Sequence, residues 1–386
     1  MPNTANVPTE FADIVIIGAG IAGASLAAVL ATDHKKQARI VLLEGESQPG
    51  YHSTGRSAAL LVLNYGPPSI RALTQAAFGF FASPPDGFAA APLITERPMM
   101  TVARADQMEA LENSFANLHP DSQATWLTGA AICEAQPMLR KSYAEAAYLE
   151  QDGQDIDVAA LHQGYLRSFK NAGGILHTNA AVTRLQKSGS TWQIETRTTR
   201  YEAPIVVNAA GAWADEIAAL AGVDKIGLVP KRRTAVIIAA PDGFDTAALP
   251  ATDDVDEEFY LKPDAGRLLI SPADRTPSPP CDAQPDEMDV AICVDRIMTA
   301  FDIDVRRIDT KWAGLRSFVA DGSPVVGYSD HTDGFFWLAG QGGYGIQTAP
   351  ALSQVAAALL CKRALPDIMK GHDFDPAQIA PSRRIT

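Results

Sequence analysis

The sequence predicts an α/β protein in which a parallel-sheet domain is interleaved with a second, α+β domain built on a mostly antiparallel sheet. Strand–helix units near both ends of the chain indicate the first domain, and a long stretch of strand patterns between them indicates the second. The length of 386 residues also exceeds what one hydrophobic core usually serves, so two domains are expected.

The composition argues against several classes of protein. The net charge of -13, with no Lys/Arg-rich stripe, argues against nucleic acid or an anionic membrane as partner. No apolar stretch reaches the roughly 18 residues of a membrane span, and residues 1–12 lack the basic region of a leader. The four cysteines form neither a C-x-x-C pair nor a cluster with histidine. We therefore expect a cytoplasmic protein without a metal site and without stable membrane insertion.

The N-terminal unit begins with residues 13–17, a β-branched run that is typical of a buried parallel strand. A G-x-G-x-x-G turn at residues 18–23 then opens an alanine-rich helix over residues 22–31. A second strand is predicted at residues 39–44. Together these segments form a βαβ unit of the usual length, about 30 residues.

Each glycine of this turn has its own physical reason. Gly18 permits a tight turn, Gly20 lets the backbone approach a pyrophosphate, and Gly23 permits close contact between helix and strand. The helix N-terminus offers free N–H groups to phosphates. Glu44 ends the second strand, where a carboxylate accepts hydrogen bonds from ribose hydroxyls. The unit predicts a dinucleotide site, but it does not distinguish NAD from FAD.

The middle of the chain alternates between helix and strand patterns. A helical pattern in residues 71–90 ends at two prolines, and residues 93–104 predict a strand. Asp157 precedes an amphipathic helix at residues 158–170, and residues 204–208 predict an apolar strand. A new layer is therefore expected to begin after the first helical pattern.

The later segments predict a second sheet and a return to the first. Residues 231–240 and 259–270 have strand patterns with long loops. Residues 335–339 predict a buried strand, and a helix is expected over residues 346–365. The predicted domains are residues 1–85, 150–225 and 310–386 for the nucleotide-binding domain, and residues 86–149 and 226–309 for the substrate-binding domain.

Two further segments resemble a known superfamily. Residues 50–59, GYHSTGRSAA, follow the second strand, where flavoenzymes of the D-amino acid oxidase and glycine oxidase superfamily place a small-residue loop along FAD. Residues 339–347, AGQGGYGIQ, resemble the late glycine segment of the same superfamily. The resemblance spans the chain. Within this superfamily, the sequence resembles the D-arginine dehydrogenases in particular, which is the narrower likeness. That narrower likeness is carried by residues 50–59, 231–233, 259–266, 312–322 and 341–348.

The resemblance implies a Rossmann-like domain of the glutathione-reductase type that holds FAD non-covalently. An NAD-binding dehydrogenase would leave the late glycine segment unexplained. The loops and helix N-termini would offer amide donors to the pyrophosphate and to the flavin. The implied FAD residues are Gly18, Ala19, Gly20, Ile21, Ala22, Gly23, Glu44, Gly45, Ser53, Thr54, Gly55, Arg56, Ser57, Ala58, Ala59, Leu60, Val182, Ala210, Gly211, Gly342, Gly343, Tyr344, Gly345, Ile346 and Gln347.

The resemblance also implies residues that hold an amino-acid substrate by its carboxylate. A guanidinium fork pairs both oxygens of a carboxylate, and phenols donate to it. The implied residues are Arg316, Arg233, Tyr260, Tyr65 and the backbone of Gly343. A structural ion pair between Arg316 and Asp321 is the alternative for the first arginine.

Four positions that line the implied pocket differ from the D-arginine dehydrogenases. Met99 stands where those enzymes place a guanidinium-binding glutamate, and Leu60 and Val62 replace a histidine and a threonine. These changes favour neutral or hydrophobic D-amino acids. Asp253 replaces a valine, and it is expected either to receive a basic side chain or to be a solvated loop residue.

The implied reaction is the oxidative deamination of a small D-amino acid to a 2-oxo acid and ammonia, with hydride transfer from Cα to flavin N5. Residues 267–270 lack the lysine that sarcosine-oxidase-type relatives place near N5, so an acceptor other than oxygen, such as a quinone, is expected. Two alternatives remain. One is a glycine or N-methyl amino acid oxidase that uses oxygen, and the other is a flavin-binding module without catalysis.

Overall fold

Two large sheets, one mainly parallel and one mainly antiparallel, organise the chain as the sequence predicts. They are seen in a computed structural model that describes residues 8–34, 37–120 and 122–383. Residues 1–7, on which part of the expectation of no leader rests, lie outside these ranges.

In chain order, the strands of the described ranges are β1 (Thr9–Phe11), β2 (Ile14–Ile17), β3 (Ile40–Leu43), β4 (Leu60–Leu61), β5 (Ile94–Glu96), β6 (Met99–Ala103), β7 (Ala124–Thr128), β8 (Ala146–Glu150), β9 (Gln154–Ile156), β10 (Ile175–His177), β11 (Arg184–Ser188), β12 (Thr191–Glu195), β13 (Arg200–Ala203), β14 (Ile205–Asn208), β15 (Val229–Ala239), β16 (Ala251–Asp254), β17 (Tyr260–Asp264), β18 (Arg267–Ser271), β19 (Ile308–Phe318), β20 (Val325–Tyr328) and β21 (Phe335–Ala339). The α-helices are α1 (Ile21–His34), α2 (Pro68–Ala82), α3 (Met108–Ala116), α4 (Ala130–Ala135), α5 (Val158–Asn171), α6 (Ala214–Ala221), α7 (Glu287–Ala300) and α8 (Gly345–Leu360).

The first large sheet has the order β10-β3-β2-β14-β21-β20, and its strands pair in parallel except for β20 with β21. All residues of β2, β3 and β21 are buried, as expected for strands with helices or loops on both faces. After β2, the chain adds β3 and β10 on one side of the sheet, and it then crosses to the other side of β2 to form β14. The strand order therefore reverses between β2 and β14. In open α/β sheets, ligands bind beyond the carboxyl ends of the strands at such a reversal.

Helices cover one face of this sheet. Helix α1 packs between α5 and α8, and its alanines allow the close approach. Helix α5 begins where the sequence predicts, because the Asp157 side chain accepts a hydrogen bond from the Ala160 N–H. No α-helix in the described ranges is both long and apolar enough to cross a membrane.

The second large sheet has the order β19-β15-β18-β17-β16-β6-β8-β7 and is antiparallel except between β16 and β6. Its side chains alternate between two faces. One face, which includes Val236, Leu261 and Ile270, packs against α4 and α7 in a closed core. The opposite face carries polar side chains such as Arg233 and Tyr260 and looks towards the parallel sheet. This open face is the surface on which a site can be built.

Two segments differ from the predicted elements. Residues 93–104 form two strands in different sheets, because the chain turns at Arg97–Pro98 between β5 and β6. Residues 259–270 form the hairpin β17–β18, with Ala265 and Gly266 at positive φ. Strand β19 pairs with β15 along its length, so the domain boundary predicted at residue 310 falls inside a strand of the antiparallel sheet.

We expect opposite effects from adding one methyl group at two helical glycines. A Cβ at Gly23 would lie 1.9 Å from the Gly18 carbonyl oxygen, whereas a Cβ at Gly79 of α2 meets nothing within 4 Å. Gly23→Ala should lower the free energy of unfolding by about 1–3 kcal/mol or more through overpacking. Gly79→Ala should raise it by about 0.5–1 kcal/mol through helix propensity.

Chemical denaturation of the two variants and the parent protein measures both effects. An unchanged unfolding midpoint for Gly23→Ala would show that the helix does not press against the turn.

Candidate active site

A cavity of about 460 Å³ lies between the carboxyl ends of the parallel strands and the open face of the antiparallel sheet. Its size is in the usual range for small-molecule sites. The wall is formed by the loop that follows β3, by the glycine segment that follows β21, and by strands β6, β8, β15, β16, β17 and β19. Many parts of the chain that are distant in sequence thus meet at one cavity.

Most of the predicted site residues line this cavity. They are Gly20, Ile21, Ala22, Ser53, Thr54, Arg56, Ser57, Ala58, Ala59, Leu60, Val62, Tyr65, Met99, Gly211, Arg233, Asp253, Tyr260, Arg316, Gly342, Gly343, Tyr344, Gly345, Ile346 and Gln347. The remaining predicted residues lie outside the cavity wall. They are Gly18, Ala19, Gly23, Glu44, Gly45, Gly55, Val182 and Ala210.

The glycine turn shows three different environments for its three glycines. Gly18 has a φ of +101°, and a Cβ there would lie 2.4 Å from the Ala209 oxygen. A Cβ at Gly20 would meet only the Thr54 hydroxyl, at 3.1 Å. A side chain at Gly20 would therefore press on the Thr54 hydroxyl and cover the backbone that a bound group would approach, whereas Gly18 and Gly23 serve the backbone path and the packing.

Glu44 is held beside the glycine turn by two backbone donors. Its carboxylate accepts hydrogen bonds from the N–H groups of Ala19 and Glu46, each at 3.0 Å. Burial raises the pKa of Glu44, although these hydrogen bonds oppose the rise. Gly45 follows it, and Val182 and Ala210 pack partly buried against the core beneath the parallel sheet. These residues form a surface that continues from the cavity past the strand ends.

His162 forms a hydrogen bond to the backbone of the glycine turn, and the sequence analysis did not identify this residue. Its Nε2 lies 2.9 Å from the Ala19 carbonyl oxygen, and burial lowers its pKa. Because a carbonyl only accepts, Nε2 carries the proton and donates. The sequence offered one signal for this role, because His162 lies on the inner face of the predicted helix α5.

The loop after β3 is bonded to both sheets. The Ser53 hydroxyl donates to the Leu315 carbonyl of β19 at 2.6 Å. The Thr54 hydroxyl accepts from the Ile21 N–H at the start of α1, at 2.9 Å. This loop therefore fixes the distance between the glycine turn and the antiparallel sheet.

Arg56 of the same loop has a structural role for its side chain. Its guanidinium donates to the carbonyls of Ala283 and Ala313, each at 2.9 Å, and pairs with Asp282. The Trp312 indole donates to the Arg56 carbonyl at 3.0 Å. The guanidinium is thus occupied, so a contact of Arg56 with a cofactor would come from other atoms of the residue.

The late glycine segment brings the N-terminus of α8 to the cavity. Gly342 has a φ of +55°, and a Cβ there would collide with the Phe318 ring at 2.1 Å. A Cβ at Gly343 would lie 3.1 Å from Nη1 of Arg316. Only glycine lets this backbone pass so close to the guanidinium. The 16-residue helix then presents its free N–H groups and its positive end to the cavity.

Two guanidinium groups face the cavity beside this segment. Arg233 donates to the Asp274 carbonyl at 3.0 Å, lies 6.0 Å from the centre of the Tyr260 ring, and approaches Glu257 to 3.7 Å. Burial and the positive charge of Arg316 lower the pKa of Arg233. The two cations repel each other, which makes an anion between them favourable.

Arg316 is not held by a structural ion pair with Asp321. That aspartate pairs with Arg383 at 2.7 Å instead. Burial lowers the pKa of Arg316, but electrostatic interactions with Tyr65, Tyr260 and Glu257 outweigh burial. The pKa of Arg316 therefore lies above its usual value. Arg316 is therefore a charged side chain in a half-buried wall that faces the cavity.

The two predicted tyrosines lie around the arginines. The rings of Tyr65 and Tyr344 meet edge to face at 5.1 Å between centroids. Burial raises the pKa of Tyr65, so its hydroxyl keeps its proton and can donate to an anion. Tyr260 lies on β17 and shares the open face of the sheet with Arg233.

Asp253 is not a solvated loop residue, because it lies in β16 on the cavity wall. Its Oδ1 is buried without a hydrogen-bond partner, and burial raises its pKa well above the usual value, although a hydrogen bond from Thr101 opposes the rise. Thr101, Tyr148 and Glu150 from β6 and β8 line the wall beside it, and the sequence analysis missed all three. The sequence signal for these residues was the alternation of side chains along a strand. Thr101 lies two residues after Met99, and Tyr148 and Glu150 lie two residues apart, so each pair shares one face of its strand.

The expectation of an acceptor other than oxygen, which rests on residues 267–270, stays a prediction. Lys262 of β17 lines the cavity, although residues 267–270 of β18 contain no lysine. Its Nζ lies 2.7 Å from Oδ1 of Asp155. The absence of lysine from β18 therefore says nothing about the charge near this wall. The described residues contain no His, Cys, Asp and Glu cluster suited to a metal ion.

Comparison with known proteins identifies a family and several relatives. The sequence profile described as "FAD dependent oxidoreductase" (DAO) matches residues 13–359. FAD-dependent oxidoreductase domain-containing protein 1 of Bos taurus is 24% identical and covers 98% of this chain and 85% of its own length. Glycine oxidase of Geobacillus kaustophilus is 25% identical over 61% of each chain. The crystal structure of that glycine oxidase has a TM-score of 0.83 at 21% identity, covering 97% of this chain and all of its own.

Human mitochondrial dimethylglycine dehydrogenase is 26% identical over 68% of this chain, which corresponds to 30% of that protein. These matches confirm the wider superfamily, the FAD cofactor and the fold that the sequence predicts. They do not support the narrower likeness to the D-arginine dehydrogenases. The individual roles of the site residues stay predictions.

We expect Glu44→Gln to weaken FAD binding. The carboxylate accepts from two backbone N–H groups with two oxygens, whereas a glutamine offers one oxygen and turns an N–H₂ towards the other donor. An unsatisfied buried donor costs about 1–3 kcal/mol, so the Kd for FAD should rise by roughly tenfold or more.

Fluorescence titration of the apoprotein with FAD measures this Kd, with the exposed Glu112→Gln as the matched control. Equal affinities for the two variants would remove Glu44 from the cofactor site.

Proposed function

Because the chain belongs to the FAD dependent oxidoreductase family, we propose that it oxidises the Cα–N bond of an α-amino acid, with glycine and N-methylated glycines as the first substrate class. The observation that carries this proposal is the pair of Arg233 and Arg316 on the cavity wall beside Gly343. The named relatives that act on glycine and dimethylglycine support the same class.

The residues around the cavity fit FAD. The pyrophosphate would lie against the open backbone at Gly20, near the Thr54 hydroxyl, and Glu44 would receive the ribose. The N-terminus of α8 would lie near the flavin ring, where its N–H groups and positive end favour the negative charge that reduction creates. FAD, when bound, supplies the acceptor for the hydride that leaves Cα.

The arginine pair would hold the substrate carboxylate. A guanidinium fork binds both carboxylate oxygens and so fixes the direction of the molecule in the cavity. The anion also relieves the repulsion between Arg233 and Arg316, and the Tyr65 hydroxyl can donate to it. Gly343 lets the backbone approach Arg316, so the carboxylate would lie next to the positive end of α8.

The same charges prepare the amine. Hydride leaves Cα readily only when the amino nitrogen has a free lone pair, so the substrate ammonium must lose its proton. The two guanidinium groups favour the neutral amine, because nearby like charge disfavours the ammonium form. The imine product then hydrolyses to a 2-oxo acid and an amine or ammonia. Orientation and charge placement therefore account for most of what the protein must supply.

D-amino acids are the second substrate class. Leu60, Val62 and Met99 also line the cavity, and their apolar surfaces would suit a side chain at Cα. A flavin-binding module without catalysis would not require two arginines aimed into the cavity. The arginine pair therefore favours an enzyme over a non-catalytic flavin-binding module.

We expect Arg316→Lys to raise the KM for the amino acid by about 10- to 100-fold while the protein keeps its flavin. Lysine retains the positive charge but loses the fork. Steady-state kinetics and the visible flavin absorbance of the purified variant measure the two effects. Arg306→Lys, at an exposed position, is the control. An unchanged KM for Arg316→Lys would show that the carboxylate binds elsewhere.

A substrate panel tests the reaction class. Glycine, sarcosine, dimethylglycine, both alanine enantiomers and lactate should be compared with an artificial dye and with oxygen as acceptors. We expect turnover of at least one amino acid and none of lactate, because an amine nitrogen donates its lone pair more readily than a hydroxyl oxygen and the site is proposed to have no base that would deprotonate the hydroxyl. Peroxide formation compared with dye reduction then identifies the electron acceptor. Turnover of lactate without that of any amino acid would contradict the proposal.

A further inference from the structure

We propose that the substrate carries a second, cationic nitrogen several bonds from its carboxylate, and that Asp253 receives this group inside the cavity. This inference rests on the proposed function, because it takes the carboxylate to be bound by the arginine pair. It names a subclass of amino acids, which binding of the carboxylate and the α-amino group alone would not select.

The strand register places Asp253 within reach of a bound amino acid. Asp253 pairs with Tyr260 on β17 on one side and with Thr101 on β6 on the other, so the three side chains share the open face of the sheet. Directly opposed side chains on neighbouring strands lie about 5 Å apart at Cβ. The Arg233 guanidinium lies 6.0 Å from the Tyr260 ring on the same face. A short chain can therefore extend from the arginines past Tyr260 to Asp253.

Asp253 lacks the cationic partner that a buried carboxylate normally has. Its Oδ1 is buried and accepts no hydrogen bond. Within the described ranges, no Lys or Arg forms an ion pair with Asp253, whereas Glu257 and Asp155 are paired with cations. Buried charges are costly unless they are paired. The missing partner is a donor that must enter through the cavity.

The cavity thus has two ends of opposite charge. Arg233 and Arg316 form the end that carries more basic groups, with Glu257 beside Arg233. Asp253 and Glu150 form the end that carries more acidic groups, where Arg71 acts on Glu150 but forms no ion pair with Asp253. Glu150 already accepts a hydrogen bond from Asn64, so Asp253 is the open acceptor of this end. A substrate with a carboxylate at one end and an ammonium at the other matches both charges.

The pH dependence should report the same contact. Burial raises the pKa of Asp253, and the negative groups Glu257, Glu150 and Asp254 add to the rise. Tyr260 and Tyr148 also face it, and the Lys262 cation on the same face of β17 is paired with Asp155. Without a ligand cation, Asp253 therefore holds its proton to a higher pH than usual. The preference for a cationic substrate should grow as the pH rises and Asp253 ionises. A neutral substrate should not show this growth.

The two sources of a cationic group can be separated with isosteric pairs. A side chain at Cα is tested by lysine against norleucine, each as both enantiomers. A substituent on nitrogen is tested by N-(2-aminoethyl)glycine against N-propylglycine. We expect the cationic member of at least one pair to have a kcat/KM at least tenfold above its neutral isostere. The ratio within that pair should rise with pH.

Asp253→Asn tests the residue itself. We expect this variant to lose at least tenfold of the cationic-to-neutral ratio and its pH dependence, while turnover of the neutral isostere reports that the protein folds and holds FAD. Asp264→Asn removes one carboxylate at an exposed position of β17 and should behave as the parent enzyme. A ratio that Asp253→Asn does not change would overturn the proposal.

Equilibrium binding separates the subsite from catalysis. The probes 6-aminohexanoate and hexanoate lack the α-amino group and cannot be oxidised at a Cα–N bond. Titration of the holoenzyme, followed through the flavin spectrum, should show tighter binding of 6-aminohexanoate in the parent and equal binding in Asp253→Asn. Equal loss of turnover for cationic and neutral substrates in this variant would instead assign Asp253 to the amine, and would refute the subsite. Absence of any amino-acid turnover with normal probe binding would refute the proposed function and leave the subsite standing.

Discussion

The loop of residues 53–56 sets the geometry on which the cavity depends. Ser53 is bonded to β19 of the antiparallel sheet, and Thr54 is bonded to the first turn of α1 on the parallel sheet. Arg56 adds two hydrogen bonds and an ion pair to the first of these links. Because a few short hydrogen bonds define the separation of two rigid sheets, the space between them has a fixed width. The Thr54 hydroxyl also lies beside Gly20, and its neighbour Ser53 is bonded to β19, so the glycine turn and the antiparallel sheet are held in a fixed relation.

Local patterns predicted the parallel sheet and its turns well, because strand, glycine and helix follow one another within a few residues there. The three glycines of the first turn have the three environments that their spacing implies. The antiparallel sheet was harder to predict. Its polar face is assembled from strands such as β6, β8, β16 and β17, and their pairing depends on contacts between distant segments. The acidic run around Asp253 resembles a solvated loop in sequence, and the pairing of β16 with β6 and β17 is what places Asp253 on the cavity wall. The presence of Lys262 in the cavity wall was missed for the same reason, because it depends on how β17 pairs with its neighbours.

Charge separation across the cavity is the second organising constraint. A wall that contains two guanidinium groups and a carboxylate without a cationic partner is costly to bury without a ligand. The protein tolerates this cost because each group lies on a rigid strand and is partly satisfied by backbone or phenol neighbours, as Arg233 is by Asp274 and Tyr260. Such a wall is organised before the ligand arrives, so binding does not have to order it. Apolar residues such as Met99 and Val62 complete the wall.

The order of strands in the parallel sheet has a consequence for how the protein is made. Strands β2 and β3 are complete by residue 43, but the neighbours that complete this sheet on the other side of β2 are β14 and β21, which begin at residues 205 and 335. A nascent chain leaving the ribosome therefore carries an exposed apolar strand edge until nearly all of its length has been synthesised. Such late pairing slows folding and exposes the edge to aggregation. Recombinant yield should for this reason respond more to temperature and chaperone supply during translation than to the stability of the finished enzyme.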